Sequence, residues 1–142
     1  MSPLQEEPVT REVLQAALAA YFAPWVQALD LQVETFGPDE VTLRLPRSEQ
    51  LSRVGGMLCG QAMMAAADTA MVLALIALQG RFRPCTTVQL NTSFLRPLAD
   101  QDALVQARVL RAGKSLAFGE IDIRGATDGR SACRASTTYA LL

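Results

Sequence analysis

The most informative absence in this chain is histidine, because none of its 142 residues is a histidine. This absence excludes Ser-His-Asp and Cys-His catalytic sites, histidine-ligated metals and histidine acid–base chemistry. Cys59, Cys85 and Cys133 are scattered and odd in number, which favours neither a zinc site nor a disulfide framework. We therefore expect no metal, no cofactor and a reduced, cytoplasmic setting.

An excess of positive charge is also missing. Thirteen basic residues stand against fourteen acidic ones, and Lys114 is the single lysine. A nucleic-acid-binding protein normally carries a basic surplus, so we expect no nucleic-acid partner. The first seven residues are acidic and lack an apolar core, which is not the pattern of a signal peptide.

One long apolar run is present, from residue 62 to residue 78, interrupted by Asp68 and Thr69. A membrane-spanning helix needs about 20 apolar residues, so the run is close to that length. A carboxylate at the bilayer centre would cost about 2.5 to 3.5 kcal/mol. We therefore predict a fully buried helix of a protein that does not enter a membrane.

The rest of the chain predicts an α+β domain. Thr10 is placed to cap a first helix, residues 31–45 alternate as a hairpin, and the apolar helix should run from about Gly60 to Gln79 and end at Gly80. Four β-rich runs follow, at residues 85–95, 102–112, 115–125 and 130–141. We predict one domain over residues 1–142, with a helical lead at 1–29 and a long helix wrapped by a curved antiparallel sheet.

Asp68 is the residue that most needs an explanation. It stands alone in an apolar helix, and burying a carboxylate is costly unless a partner satisfies it. Such a group suits a catalytic base or nucleophile. The alternative is a structural aspartate, satisfied by backbone or hydroxyl donors or open at a subunit seam.

The start of the same helix is a second candidate. Gly60 and Gln61 lie in its first turn, where free N–H groups and the helix dipole can hold an oxyanion. Alternatively, the glycines there only shape the preceding loop. Cys59 lies just before the helix, but no histidine is present to activate it as a nucleophile.

A polar row follows the helix. Strict alternation places Thr87, Gln89 and Asn91 on one face of a strand, with Val88 and Leu90 on the other. The row could supply hydroxyl and amide partners to Asp68, or it could be the solvent face of the sheet.

Three segments together resemble a known family. Residues 59–70, which read Cys-Gly-Gln-Ala-Met-Met-Ala-Ala-Ala-Asp-Thr-Ala, are similar to a helix that opens with a His-Gly-Gly motif and carries an acid nine positions after the histidine. Residues 87–97 resemble that family's following strand and proline turn, and residues 113–118 its next strand. The family is the hotdog-fold acyl-CoA thioesterases, in the subgroup related to phenylacetic acid degradation, and the likeness covers about residues 30–142.

The resemblance implies hydrolysis of an acyl-CoA thioester. Asp68 takes the place of the family's nucleophile or general base, and Gly60 that of the backbone N–H which polarises the thioester carbonyl. Thr87 takes the place of a hydroxyl that positions water. The acyl chain would enter an apolar slot whose adaptable lining comprises Met57, Leu58, Met63 and Met64.

The chain departs from the family at three positions. Cys59 replaces the motif histidine, Gln61 replaces its second glycine, and Arg53 stands where relatives place an asparagine that orients substrate or water. These departures leave open a non-catalytic acyl-CoA or fatty-acid binding module on the same fold. A hotdog dehydratase is disfavoured, because its acid is paired with a histidine.

The resemblance also implies a homodimer, often paired again into a tetramer, in which the acid and the oxyanion donor come from different subunits. Basic residues at the surface would hold the CoA nucleotide, with Arg111 as a further candidate. The residues predicted to bind substrate are Arg53, Cys59, Gln61, Asn91, Arg96 and Lys114.

Overall fold

A computed structural model of the chain describes residues 8–142. The helices are α1 (Arg11–Ala20), α2 (Pro24–Gln27) and α3 (Gly60–Gln79). The strands are β1 (Gln32–Phe36), β2 (Glu40–Leu45), β3 (Cys85–Phe94), β4 (Ala103–Ala112), β5 (Leu116–Gly125) and β6 (Ser131–Leu141). The predicted helices, hairpin and four late strands are all present, whereas residues 1–7 of the predicted lead lie outside the described part.

The long helix α3 begins and ends where the sequence predicted. Cys59 is its N-cap, and Gly80 ends it in the left-handed conformation, with φ of 77° and an N–H that donates to the Ile76 carbonyl at 2.9 Å. Thr10 likewise caps α1, because its side-chain oxygen accepts a hydrogen bond from the Val13 N–H at 3.2 Å.

The six strands form one antiparallel sheet in the order β1-β2-β4-β5-β6-β3, curved around α3. This arrangement confirms the predicted hotdog architecture. By length and hydropathy α3 could cross a membrane, but 67% of its most apolar 18-residue window is buried inside the protein. The protein core therefore accounts for the apolar composition of this helix.

The backbone groups of the two edge strands differ in their hydrogen bonding. At the β1 edge, Gln15 on α1 donates to the Leu31 carbonyl and accepts from the Val33 N–H, and the Arg11 guanidinium donates to the carbonyls of Val33 and Glu34. At the other edge, β3 pairs with β6 and with no second strand among residues 8–142. An edge with free backbone groups is a ready template for pairing with another chain.

A β-bulge in β3 corrects the predicted polar row. Thr87 pairs with Tyr139 of β6, but the next paired residue is Gln89, so Val88 is the extra residue and is 60% exposed. After the bulge the faces exchange, and Leu90 turns to the helix side opposite buried Thr137. Asn91 pairs with exposed Ser136 and therefore lies on the outer face, contrary to the alternation predicted from the sequence.

Candidate active site

Asp68 lies on the one stripe of α3 that the sheet leaves open. Gln61 and Met64 on this stripe are exposed, and Ala65, Asp68 and Val72 are half-buried. The spacing of three and four residues places all five side chains on one helix face. The prediction of a fully buried helix was therefore wrong along this stripe, which we call the open stripe of α3.

Two hydroxyl groups hold the Asp68 carboxylate. Thr87 Oγ1 donates to Asp68 Oδ1 at 2.9 Å, and the Tyr139 hydroxyl donates to the same oxygen. No ion pair among residues 8–142 includes Asp68. The carboxylate is thus oriented by two neutral donors and is not paired with a cation, an arrangement that suits a nucleophile or base.

Tyr139 is a site residue that the sequence reasoning missed. It faces inward on β6, is 2% exposed, and its hydroxyl also lies 2.8 Å from the Asp68 main-chain carbonyl oxygen. Burial, followed by the neighbouring Asp68 charge, raises the pKa of Tyr139 well above its usual value, so the hydroxyl stays a donor at neutral pH. An inward tyrosine on a central strand was the available signal, because a buried hydroxyl needs a partner.

An aromatic cleft of about 300 Å³ opens beside the carboxylate, and we call it the Asp68 cleft. Besides Asp68, Thr87 and Tyr139, its walls include four aromatic side chains, Tyr21, Phe22, Trp25 and Phe82. Tyr21 and Phe82 stack with ring centroids 3.9 Å apart. The cleft is open to solvent, and Trp25 is 64% exposed. It therefore offers apolar contact area directly next to the candidate nucleophile.

Gly60 lies at the far end of the same helix, beside a second cleft of about 370 Å³ that we call the Gly60 cleft. As the first helical residue, Gly60 has an N–H with no acceptor within the helix, and no other backbone acceptor is found for it among residues 8–142. Arg53 and Arg96 line this cleft, together with Met57, Leu58, Met63 and Phe94. Three of the four residues predicted for an acyl slot thus meet here, whereas Met64 lies on the open stripe.

Asp68 and Gly60 are too far apart within one chain to act on the same carbonyl group. Eight residues of helix separate them, which is about 12 Å along the axis. A nucleophile and an oxyanion donor must both lie about 3 Å from atoms of one carbonyl. Asp68 and Gly60 of a single chain therefore cannot form one catalytic site together.

The remaining predicted site residues line neither the Asp68 cleft nor the Gly60 cleft. Gln61 is exposed on the open stripe, and Cys59 is half-buried at the N-cap without a side-chain capping bond. Lys114 lies in the turn between β4 and β5 and, like Asn91, lines neither the Asp68 cleft nor the Gly60 cleft. Within residues 8–142, no three Cys, Asp or Glu side chains cluster closely enough to hold a metal ion.

Comparison with known proteins identifies related chains. Residues 55–132 match the family model of the thioesterase superfamily. A candidate esterase of Thermoplasma volcanium is 30% identical over 97 residues, which is 68% of this chain and 72% of that protein.

Two solved structures are also similar to this chain. A candidate thioesterase of Silicibacter is 29% identical, with a TM-score of 0.83 over 93% of this chain and 91% of its own. A point mutant of the phenylacetic acid degradation protein of Thermus thermophilus is 21% identical, with a TM-score of 0.73 over 84% of this chain and all of its own, and is thus similar in fold.

Proposed function

The chain belongs to the thioesterase superfamily, and we propose that it hydrolyses acyl-CoA thioesters to free acid and CoA, with Asp68 as nucleophile or general base. Its relatives support hydrolysis of esters or thioesters in general. The observation that carries the proposal is the Asp68 carboxylate, held by two hydroxyls, unpaired with any described cation and open to an apolar cleft.

The chemistry needs water as its only co-reactant. As a general base, Asp68 takes a proton from water while the water oxygen bonds to the thioester carbon. As a nucleophile, its oxygen forms a mixed anhydride that water then cleaves. Either way the carbon–sulfur bond breaks, the thiolate of CoA leaves with the electron pair, and it is protonated by the proton that water gives up. Before that bond breaks, the carbonyl oxygen carries negative charge. A backbone N–H such as that of Gly60 stabilises this charge.

We propose that two copies of the chain complete the site. The free edge of β3 and the open stripe of α3 lie side by side, with exposed apolar side chains such as Val88 and Met64. A two-fold axis that passes beside α3, level with the midpoint between Gly60 and Asp68, would place the two copies of α3 antiparallel and set Gly60 of one copy opposite Asp68 of the other. The same contact would satisfy the β3 edge. Pairing of two dimers into a tetramer remains a prediction, as does the cytoplasmic location.

The two clefts suit the two ends of the substrate. We place the acyl group against the aromatic side chains of the Asp68 cleft, which replaces the methionine-lined slot that the sequence predicted and that lies in the Gly60 cleft. We place the CoA end in the Gly60 cleft, where Arg53 and Arg96 would meet its phosphates. The Arg96 Nε donates to the Ser131 carbonyl at 2.9 Å, which leaves its terminal nitrogens to meet a ligand. Lys114 and Arg111 lie in neither cleft, so any contact of theirs would be with the distant nucleotide.

Trp25 provides a test of the acyl end. Because Trp25 forms part of the Asp68 cleft, Trp25→Ala should raise KM for long or aromatic acyl-CoAs about tenfold, through lost apolar contact. Acetyl-CoA should be little affected. Leu110→Ala is the control, since Leu110 is 58% exposed on β4 and lines neither cleft. Equal effects on all acyl lengths would place the acyl group elsewhere.

The function itself is tested by a hydrolysis screen over short, long and aromatic acyl-CoAs, with release of free CoA as the readout. We expect turnover well above the uncatalysed rate for at least one class. Tight binding of acyl-CoA without turnover would instead favour the non-catalytic binding module. That alternative is motivated by Arg53 and Cys59, which replace residues of the family motif.

A further inference from the structure

The two oxygens of the Asp68 carboxylate have different surroundings. Both hydroxyl donors, from Thr87 and Tyr139, reach Oδ1. No side-chain or backbone donor of residues 8–142 outside α3 reaches Oδ2. An oxygen that accepts two hydrogen bonds is the weaker nucleophile and base, because its lone pairs are engaged.

The donors themselves are fixed by the sheet. Thr87 and Tyr139 are directly opposite each other in the β3–β6 register, so they form one cross-strand pair beneath α3. Tyr139 is almost completely buried, whereas Thr87 is exposed at the cleft. The buried partner therefore has little freedom to leave Asp68.

We infer that Tyr139 is a positioning residue that, together with Thr87, clamps Oδ1 of Asp68 and leaves Oδ2 as the oxygen that attacks the substrate or takes the proton of water. This inference deepens the proposed function and rests on it. It also gives Thr87 a role different from the one the resemblance implied, because its hydroxyl hydrogen goes to the carboxylate and only its lone pairs remain for water.

The clamp acts on the orientation of the Asp68 carboxylate and not on substrate binding. Its loss should therefore appear in kcat and leave KM little changed.

The test compares the kcat and KM of Tyr139→Phe and Thr87→Val with those of the wild-type protein. For Tyr139→Phe we expect kcat to fall about tenfold with KM little changed. Thr87→Val should also lower kcat and leave KM little changed.

Thr137→Val is the matched control. Thr137 is also a buried hydroxyl residue on β6, and it donates to the Gln89 carbonyl at 2.8 Å, away from Asp68. We expect this variant to lose stability but to keep kcat. If Tyr139→Phe behaves in the same way, Tyr139 is only a structural tyrosine and the inference is wrong.

A second measurement does not depend on turnover. The NMR chemical shift of the Asp68 carboxyl carbon, measured at neutral pH, should differ between Tyr139→Phe and the wild type, because a hydrogen bond to Oδ1 is lost, and should be the same in Thr137→Val and the wild type. If no acyl-CoA is hydrolysed but the chemical shift changes in Tyr139→Phe, the clamp stands and the proposed function fails. An unchanged chemical shift overturns the clamp whatever the activity.

Discussion

Asp68→Asn should lower kcat for acyl-CoA hydrolysis by about 10³-fold or more, because the amide can neither take a proton from water nor form the mixed anhydride. The fold should be retained. Asparagine has the same shape, and its oxygen can still accept hydrogen bonds from the hydroxyls of Thr87 and Tyr139. KM should change little, so the loss would appear in the chemical step.

Asp122→Asn is the matched control for this variant. Asp122 is also a half-buried carboxylate that accepts a hydroxyl hydrogen bond, from Ser131, but it lies on β5 and lines no part of either cleft. Its replacement should leave kcat unchanged. Hydrolysis that persists at the wild-type rate in Asp68→Asn would remove Asp68 from the mechanism.

Gly60→Pro should lower kcat by about 10²- to 10³-fold, because proline has no N–H to stabilise the oxyanion. The helix should still form. Gly60 is the first helical residue, where proline is favoured, and Cys59 before it has φ of −71° and ψ of 147°, the extended conformation that a following proline requires.

Gly60→Ala separates the lost N–H from the added bulk. A Cβ at residue 60 would lie 3.3 Å from the nearest ring carbon of Phe94, a side chain that is 49% exposed and can shift by the small amount needed. Both variants carry this Cβ, but only alanine keeps the N–H, so we expect Gly60→Ala to lose no more than about tenfold. Equal kcat values in the two variants would contradict the oxyanion role.

The helices and strands of this fold could be predicted from the sequence, because each has a clear local pattern of apolar residues and of capping or turn residues. The apolar run of α3 is bounded by a loop and by Gly80, and its position among the strands predicts that the sheet wraps it. Asp68 and Gly60 were identified because each is conspicuous in that run, the first as its charge and the second as its opening residue.

Other features depend on tertiary contacts that no local pattern carries. The alternation from Thr87 to Asn91 looks regular, and only the register with β6 reveals that Val88 is bulged and that Asn91 faces outward. Tyr139 is 71 residues from Asp68 in the chain, so its hydrogen bond could not be inferred from spacing. Likewise, the open stripe of α3 is visible only when the sheet is seen to leave it uncovered.

The most direct test of the account is complementation between two inactive chains. Asp68→Asn and Gly60→Pro chains are co-expressed with different affinity tags, and the mixed dimer is purified through both tags. If Asp68 of one copy works with Gly60 of the other, the mixed dimer contains one intact site and one doubly defective site. Its activity should therefore recover to about half that of the wild-type dimer. Activity no higher than that of either parent variant would contradict a site shared between two copies.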